Sequence, residues 1–232
     1  MNILSNLNAS DAFFTIGVTL LTIVLAMFAI VLHEISHGYV ANVLGDPTAK
    51  NAGRLTLNPI AHIDPVGTIA LPVLMGLMGG PIFGFAKPVP YNPNYFENLR
   101  RGELLVALAG PGSNLLQAIV GGIIFRLFSG PLASAVPETV SLIIVYLAMS
   151  YVQVNLVLMF FNLIPLPPLD GSAIIAPFLS DKALQKYYRV QQYSLPILLG
   201  LFFLVPYVTG YSPIDRYLNF MINAVFPLIM GS

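Results

Sequence analysis

Long apolar runs separated by short polar stretches dominate this chain. They lie at 12–44, 66–86, 103–128, 139–161, 193–208 and 217–230. A helix needs about 20 apolar residues to cross the hydrocarbon of a bilayer. The first run exceeds that length, and the third and fourth match it. The second differs in kind: 66–86 holds Pro72, Pro81 and glycines at 67, 76, 79, 80 and 84. Irregular backbone at membrane depth is tolerated only where protein or a cavity covers it. The pattern predicts a re-entrant hairpin there. The sixth run is short and only dips in. The fold class expected is an all-α integral membrane protein, a polytopic bundle of about five to six membrane segments with the hairpin at 66–86.

Composition agrees. The 232 residues are 56% hydrophobic and 9% charged, against about 25% charged in soluble domains. Mean hydropathy is +0.80. Too few residues remain for a large soluble domain, so 1–232 reads as a single membrane-embedded domain in the lipid bilayer. A net charge of zero argues against nucleic acid as a partner. The chain has no cysteine, so a metal would have to be held by His, Asp or Glu. The N-terminal stretch has no basic region and no small-residue cleavage site, so no removable signal peptide is expected.

Charge also predicts topology. If 66–86 re-enters, Lys50, Arg54, Lys87, Arg100, Arg101, Lys182, Lys186 and Arg189 share one face, eight of ten basic residues. By the positive-inside rule that face is cytoplasmic and the N-terminus lies outside. The first and fourth runs then point the same way, and their C-terminal ends can meet.

Those ends carry the chemistry. His33-Glu34-Ile35-Ser36-His37 closes the first run. On a helix, H-E-x-x-H sets two imidazoles one turn apart, where they grip one zinc ion, with the intervening Glu as general base. Ionisable groups are costly at this depth, and a metal is the obvious partner. Hydrolytic zinc sites have three protein ligands and an open position. Asp170 is the candidate third ligand, after a helix broken by Pro165, Pro167 and Pro168, with Gly171 behind it to permit a tight turn. Taken alone, Asp-Gly is an ordinary turn dipeptide. Beside the histidine motif in one apolar chain, the ligand reading is preferred.

His-Glu-Ile-Ser-His, Gly110-Pro111-x-x-Asn114 and Asn162-x-x-Pro165-x-x-x-x-Asp170-Gly171 together resemble the site-2 proteases. So do Gly53-Arg-Leu-Thr-Leu-Asn-Pro59, His62-Ile-Asp64-Pro-x-Gly67 and Phe85-Ala-Lys-Pro-Val-Pro90. These are zinc metalloproteases that cut other proteins within the membrane. The resemblance covers about residues 28–172. It is to the short prokaryotic type, without an inserted PDZ or an appended CBS domain.

The resemblance implies one Zn2+ per chain on His33, His37 and Asp170, with Glu34 as general base. It implies that Asn162 hydrogen-bonds substrate backbone or oxyanion, a role an amide NH2 can fill. An interhelical hydrogen bond is the plainer role for such an Asn. Asn114 reads as packing, beside glycines that favour close helix approach. His62 and Asp64 read as structural. The expected partner is a transmembrane protein substrate. The expected location is the cell membrane, multi-pass, with the active site opening toward the cytoplasm. The catalytic core is about 12–172, and 193–230 adds C-terminal membrane segments. The segment 66–86 and the loop 87–95 are candidates to hold an extended substrate by strand addition.

Two other classes fit less well. A membrane metal transporter usually shows repeated halves, and no repeat is present. It also has no need of a Glu between two ligands. A catalytically silent scaffold would not keep every catalytic letter.

Overall fold

The computed structural model describes residues 9–77 and 84–231. Helix α1 (Ala9–Val43) is followed by a single turn, α2 (Thr48–Asn51). A short 3-10 turn (Pro59–His62) and a π-helical turn (Pro65–Ala70) lead into α3 (Leu71–Leu77). Two long helices come next, α4 (Leu99–Ser129) and α5 (Glu138–Asn162). The remainder is α6 (Asp170–Ile175), α7 (Asp181–Gln191), α8 (Ser194–Leu199), α9 (Val205–Thr209) and α10 (Pro213–Met230). No strand occurs among the described residues. The protein is an all-α polytopic membrane protein.

Among the described residues, three helices are long and apolar enough to cross a bilayer: Phe14–Val43, α4 and α5. The first half of α1 shows why. Phe14, Ile16, Leu20, Leu21, Ile23 and Val24 are all exposed, a cost that lipid removes. The fifth and sixth apolar runs become the arms of one bent pair, Pro196–Thr209 and Pro213–Met230, at 104°. Gly210 makes the corner at a left-handed φ of 66°, which a side chain would strain. Pro213 then restarts the helix at its first turn, with Ser212 as cap.

Helix α4 is the central one. Asn98 caps it by accepting from the Arg101 N–H at 3.0 Å. Its glycines sit where neighbours press closest. A Cβ on Gly121 would lie 2.9 Å from Val152 of α5, and one on Gly122 2.4 Å from Ile229 of α10. Small residues at such crossings let helices touch where lipid gives no hydrophobic drive. Ala118 of α4 joins Val152, Leu156, Met159 and Phe160 of α5 and Met230 of α10 in the largest buried cluster.

The segment 66–86 enters and leaves at one place. The Phe85 N–H donates to the Gly67 carbonyl at 3.1 Å, and the Thr68 hydroxyl donates to the Phe85 carbonyl at 3.0 Å. A full crossing would hold those residues about 30 Å apart. The tip of the hairpin, 78–83, lies outside the described residues. His62 and Asp64 serve the base of this hairpin. His62 Nε2 donates to the Thr56 carbonyl at 2.9 Å, and its own carbonyl accepts from the Lys87 N–H at 2.9 Å. Asp64 accepts from the N–H groups of Val66 and Gly67, at 2.9 and 2.7 Å.

Beyond the hairpin, 85–92 runs extended, and Phe85, Lys87, Val89 and Asn92 are tied down through their backbones. Arg54 Nη2 donates to the Lys87 carbonyl at 2.7 Å. The Asn92 N–H donates to Asp46 at 2.6 Å, and Asp46 also accepts from the backbone and hydroxyl of Thr48. Asp46 is fully enclosed. Burial alone would push its carboxyl up, but the bonds from Thr48 and Asn92 outweigh this and hold it below the usual carboxylate range. A lowered pKa stabilises the fold above the ordinary carboxylate range, and the gain is lost as pH falls through the lowered value. Asp46→Ala should therefore cost roughly 1–3 kcal/mol at neutral pH, the scale for losing a buried hydrogen-bonded group. Melting temperatures in detergent should show wild type losing more stability on acidification than the variant. Equal loss in both would remove Asp46 from this role.

Candidate active site

His33 and His37 lie one turn apart on α1 and are both buried. The chain after α5 cannot continue as helix through Pro165, Pro167 and Pro168. It turns and delivers Asp170 at the start of α6, beside the histidines. Gly171 makes that approach possible, though not by a special turn, since its φ is not positive. A Cβ there would lie 2.4 Å from the Leu163 carbonyl oxygen and 2.5 Å from that of Ile164. Its role is contact with the end of α5, not the tight turn expected from Asp-Gly.

The three donor atoms meet closely. His33 Nε2 and His37 Nε2 are 3.1 Å apart, and they lie 3.2 and 3.4 Å from Asp170 Oδ2. Tetrahedral zinc takes such ligands at about 2.0–2.1 Å, which sets neighbouring ligand atoms about 3.3–3.4 Å apart. The observed spacings match. Asp170 Oδ2 is also buried with no hydrogen-bond partner.

The second nitrogens of the histidines fix where the lone pairs point. His37 Nδ1–H donates to the Val106 carbonyl at 2.7 Å. His33 Nδ1–H donates to Asn114 Oδ1 at 2.5 Å. Asn114 is oriented in turn, since its Nδ2 donates to Asn155 Oδ1 at 2.9 Å. Asn155 donates to the Tyr151 carbonyl at 2.9 Å. Asn114 and Asn155 are both wholly buried. With both Nδ1 atoms protonated, each Nε2 offers a lone pair to the same point as the carboxylate oxygen. A proton can join only two of these atoms, whereas a metal joins all three, so the residues fit zinc. Such outer partners hold ligands and tune the metal. Gly110 completes the cradle, because a Cβ there would lie 2.4 Å from His37 Nε2 and 2.6 Å from His33 Nε2.

Asn114 was expected to pack, and the structure gives it a polar task instead. Asn155 was not singled out, although an amide in the apolar stretch 154–161 is itself a signal. Val106 acts through its backbone, which no side-chain pattern reveals.

Glu34 stands next to His33, and its Oε2 accepts from the Val89 N–H at 3.1 Å. His33, Glu34, His37, Asn162 and Asp170 all line one cavity of about 580 Å3, under the extended segment 85–92. Asn162 Nδ2 donates to the Leu158 carbonyl at 3.0 Å, so one of its two N–H groups is spent within its own helix.

A histidine pair and carboxylate around a metal position, with a glutamate alongside, inside a membrane helix bundle, define a metallohydrolase of the zinc class. The comparisons give the same class. The chain is 39% identical over 178 residues to YwhC of Bacillus subtilis (strain 168), a protein provisionally named a zinc metalloprotease, with 74% of each chain covered. It is 30% identical over 195 residues to Rip2 of Mycobacterium tuberculosis (strain ATCC 25618 / H37Rv), named in the same way, covering 84% of this chain and 71% of that one. Rip2 of Mycolicibacterium smegmatis is 28% identical over 186 residues. No family model matches, and no solved structure matches. The chain belongs to the site-2 protease family of zinc metalloproteases, and zinc is its cofactor.

Asn114→Leu keeps the volume but removes the acceptor for His33. Zinc affinity, measured by competition with a chromophoric chelator, should fall roughly 10–100-fold. Gly110→Ala should lose most bound zinc outright, because the added methyl occupies the histidines' space. Wild-type affinity in both variants would remove the cradle from metal binding.

Proposed function

We propose that this chain is an intramembrane endopeptidase that hydrolyses peptide bonds of membrane-spanning substrate proteins. One observation carries the reading. Glu34 shares a cavity with His33, His37 and Asp170 between helices whose outer surface suits lipid. Residues 1–232 act as one membrane-embedded domain, with the catalytic core in 12–172 and supporting segments in 193–230.

His33, His37 and Asp170 are the metal ligands. Zinc held by them supplies Lewis acidity, which makes water acidic near neutral pH and polarises a carbonyl. Glu34 takes the proton of the attacking water and passes it to the amide nitrogen as the peptide bond breaks. The products are a carboxylate and an amine. The Val89 N–H holds the Glu34 carboxylate in place for both transfers. Asn162 has one amide N–H left over from Leu158, and it donates to the oxygen that gains charge as water adds.

A substrate helix hides its carbonyls in its own hydrogen bonds, so the cleaved stretch must open first. The segment 85–92 offers an edge for the opened chain. Phe85, Lys87 and Val89 bond the protein through their backbones. The Ala86 N–H and the carbonyls of Ala86, Pro88 and Pro90 are left on the opposite edge. Pro88 and Pro90 have no N–H to satisfy there.

Glu34→Gln should retain one zinc per chain and lose cleavage of a single-pass substrate. Substantial remaining cleavage would take the base role away from Glu34. Asn162→Ala should slow cleavage roughly 10²–10³-fold, and an unchanged rate would leave it a packing residue.

The cavity opens toward the cytoplasm, because the basic residues gather around the hairpin base. The chain has no thiol, so single cysteines report cleanly. Of Lys50→Cys, Asn94→Cys and Ala133→Cys, only the last should react with an impermeant reagent on intact cells. Labelling of Lys50→Cys and Asn94→Cys instead would invert the orientation.

A further inference from the structure

Helix α4 turns one face to the active site. Residues 103, 106, 107, 110 and 114 follow the three-and-four spacing that stacks side chains on one side of a helix. Val106 gives its carbonyl to His37, Gly110 gives room to both histidines, and Asn114 orients His33. Glu103 lies one turn nearer the helix start. It lines the same cavity and is partly buried. Nothing in the hydrolysis uses it.

No counter-charge lies within ion-pair distance of its side chain among the described residues. Among the described residues no hydrogen bond or ion pair reaches Glu103. No lysine or arginine lines the cavity. The other two carboxylates in the wall have partners: Glu34 has the Val89 N–H, and Asp170 has the histidines. A carboxylate half withdrawn from water at a membrane boundary normally has a partner. Here the missing partner would have to come from whatever fills the cavity.

Register says where on that occupant. Seven residues separate 103 from 110, about 10 Å along the helix. An extended peptide advances about 3.3 Å per residue. We propose that Glu103 is a specificity-determining residue that binds a lysine or arginine side chain of the substrate, about three residues from the cleaved bond. The proposal rests on the protease reading above.

The test uses the full-length protein and a single-pass substrate carrying Lys, Leu or Glu at each position flanking the cut. The cut is mapped by mass spectrometry. The readout is the ratio of kcat/KM for the Lys substrate to that for the Leu substrate. Wild type should favour Lys about tenfold at one position near the third residue, between the exposed and fully buried limits for a charge pair. Glu103→Gln should bring the ratio to about one. Glu103→Lys should invert it and favour the Glu substrate, which a merely structural role would not do. Zinc content checks that each variant is folded, and if Glu103→Gln does not fold, the wild-type scan decides alone. No Lys preference in wild type, or the same preference in Glu103→Gln, overturns the proposal. Failure of wild type to cut any member would overturn the protease reading instead.

Discussion

Three electron-rich atoms aimed at one point, inside a membrane, are the constraint on which this structure turns. His33 Nε2, His37 Nε2 and Asp170 Oδ2 lie within 3.4 Å of one another. Without a cation such a contact is repulsive, and the burial of both imidazoles weakens the screening that water would give. The rest of the bundle is arranged to hold it. Helix α1 sets the histidine spacing by its own pitch. Helix α4 gives up a side chain at 110 to make room. Helix α5 ends in prolines so that the chain can turn back with its carboxylate. A line of amides, Asn114 to Asn155, ties the three helices at the same level and fixes which nitrogen of His33 carries the proton.

The segment 85–92 is the second element of the design, and its backbone is held by partners far off in sequence. Gly67, His62, Arg54, Glu34 and Asp46 each take one of its backbone groups. Phe85, Lys87 and Val89 are bonded at the two-residue period of extended chain, and Asn92 anchors the far end out of that period. Its prolines occupy the even positions 88 and 90, where a missing N–H leaves nothing unsatisfied on the protein side. Glu34 and the strap are thus one unit, because Val89 bonds Glu34 directly.

How much of this could be read from sequence depends on whether a residue acts through its side chain within one helix. His33, Glu34 and His37 were legible because a fixed spacing on a helix dictates a shared face. Asp170 was legible only beside the histidine motif, since Asp-Gly after a proline-broken helix reads by itself as a turn. The hairpin was legible from glycine and proline content together with the sorting of basic charge. Asn114 was misread because Gly110, Pro111 and Gly112 already explained close packing, and its partner Asn155 lies 41 residues away. Asp46 was not singled out, since burial by a distant strap leaves no local trace. The two last apolar runs looked independent, but the left-handed Gly210 makes them arms of one bent pair.

The scarcity of charge in this chain bears on how it works. Only 9% of residues are charged, and the cavity has apolar walls broken by a few polar atoms. In such surroundings each charge is weakly screened and acts over a longer range than on a wet surface. The protein therefore has to give nearly every cavity charge a fixed partner. It does so for Glu34 with a backbone N–H, and for Asp170 with the histidines that share its metal position. A carboxylate left without one, as at Glu103, costs free energy in the free protein. A ligand that brings the opposite charge recovers that cost, so the same low-dielectric setting that sharpens the chemistry at the metal also lets one side chain discriminate among substrates.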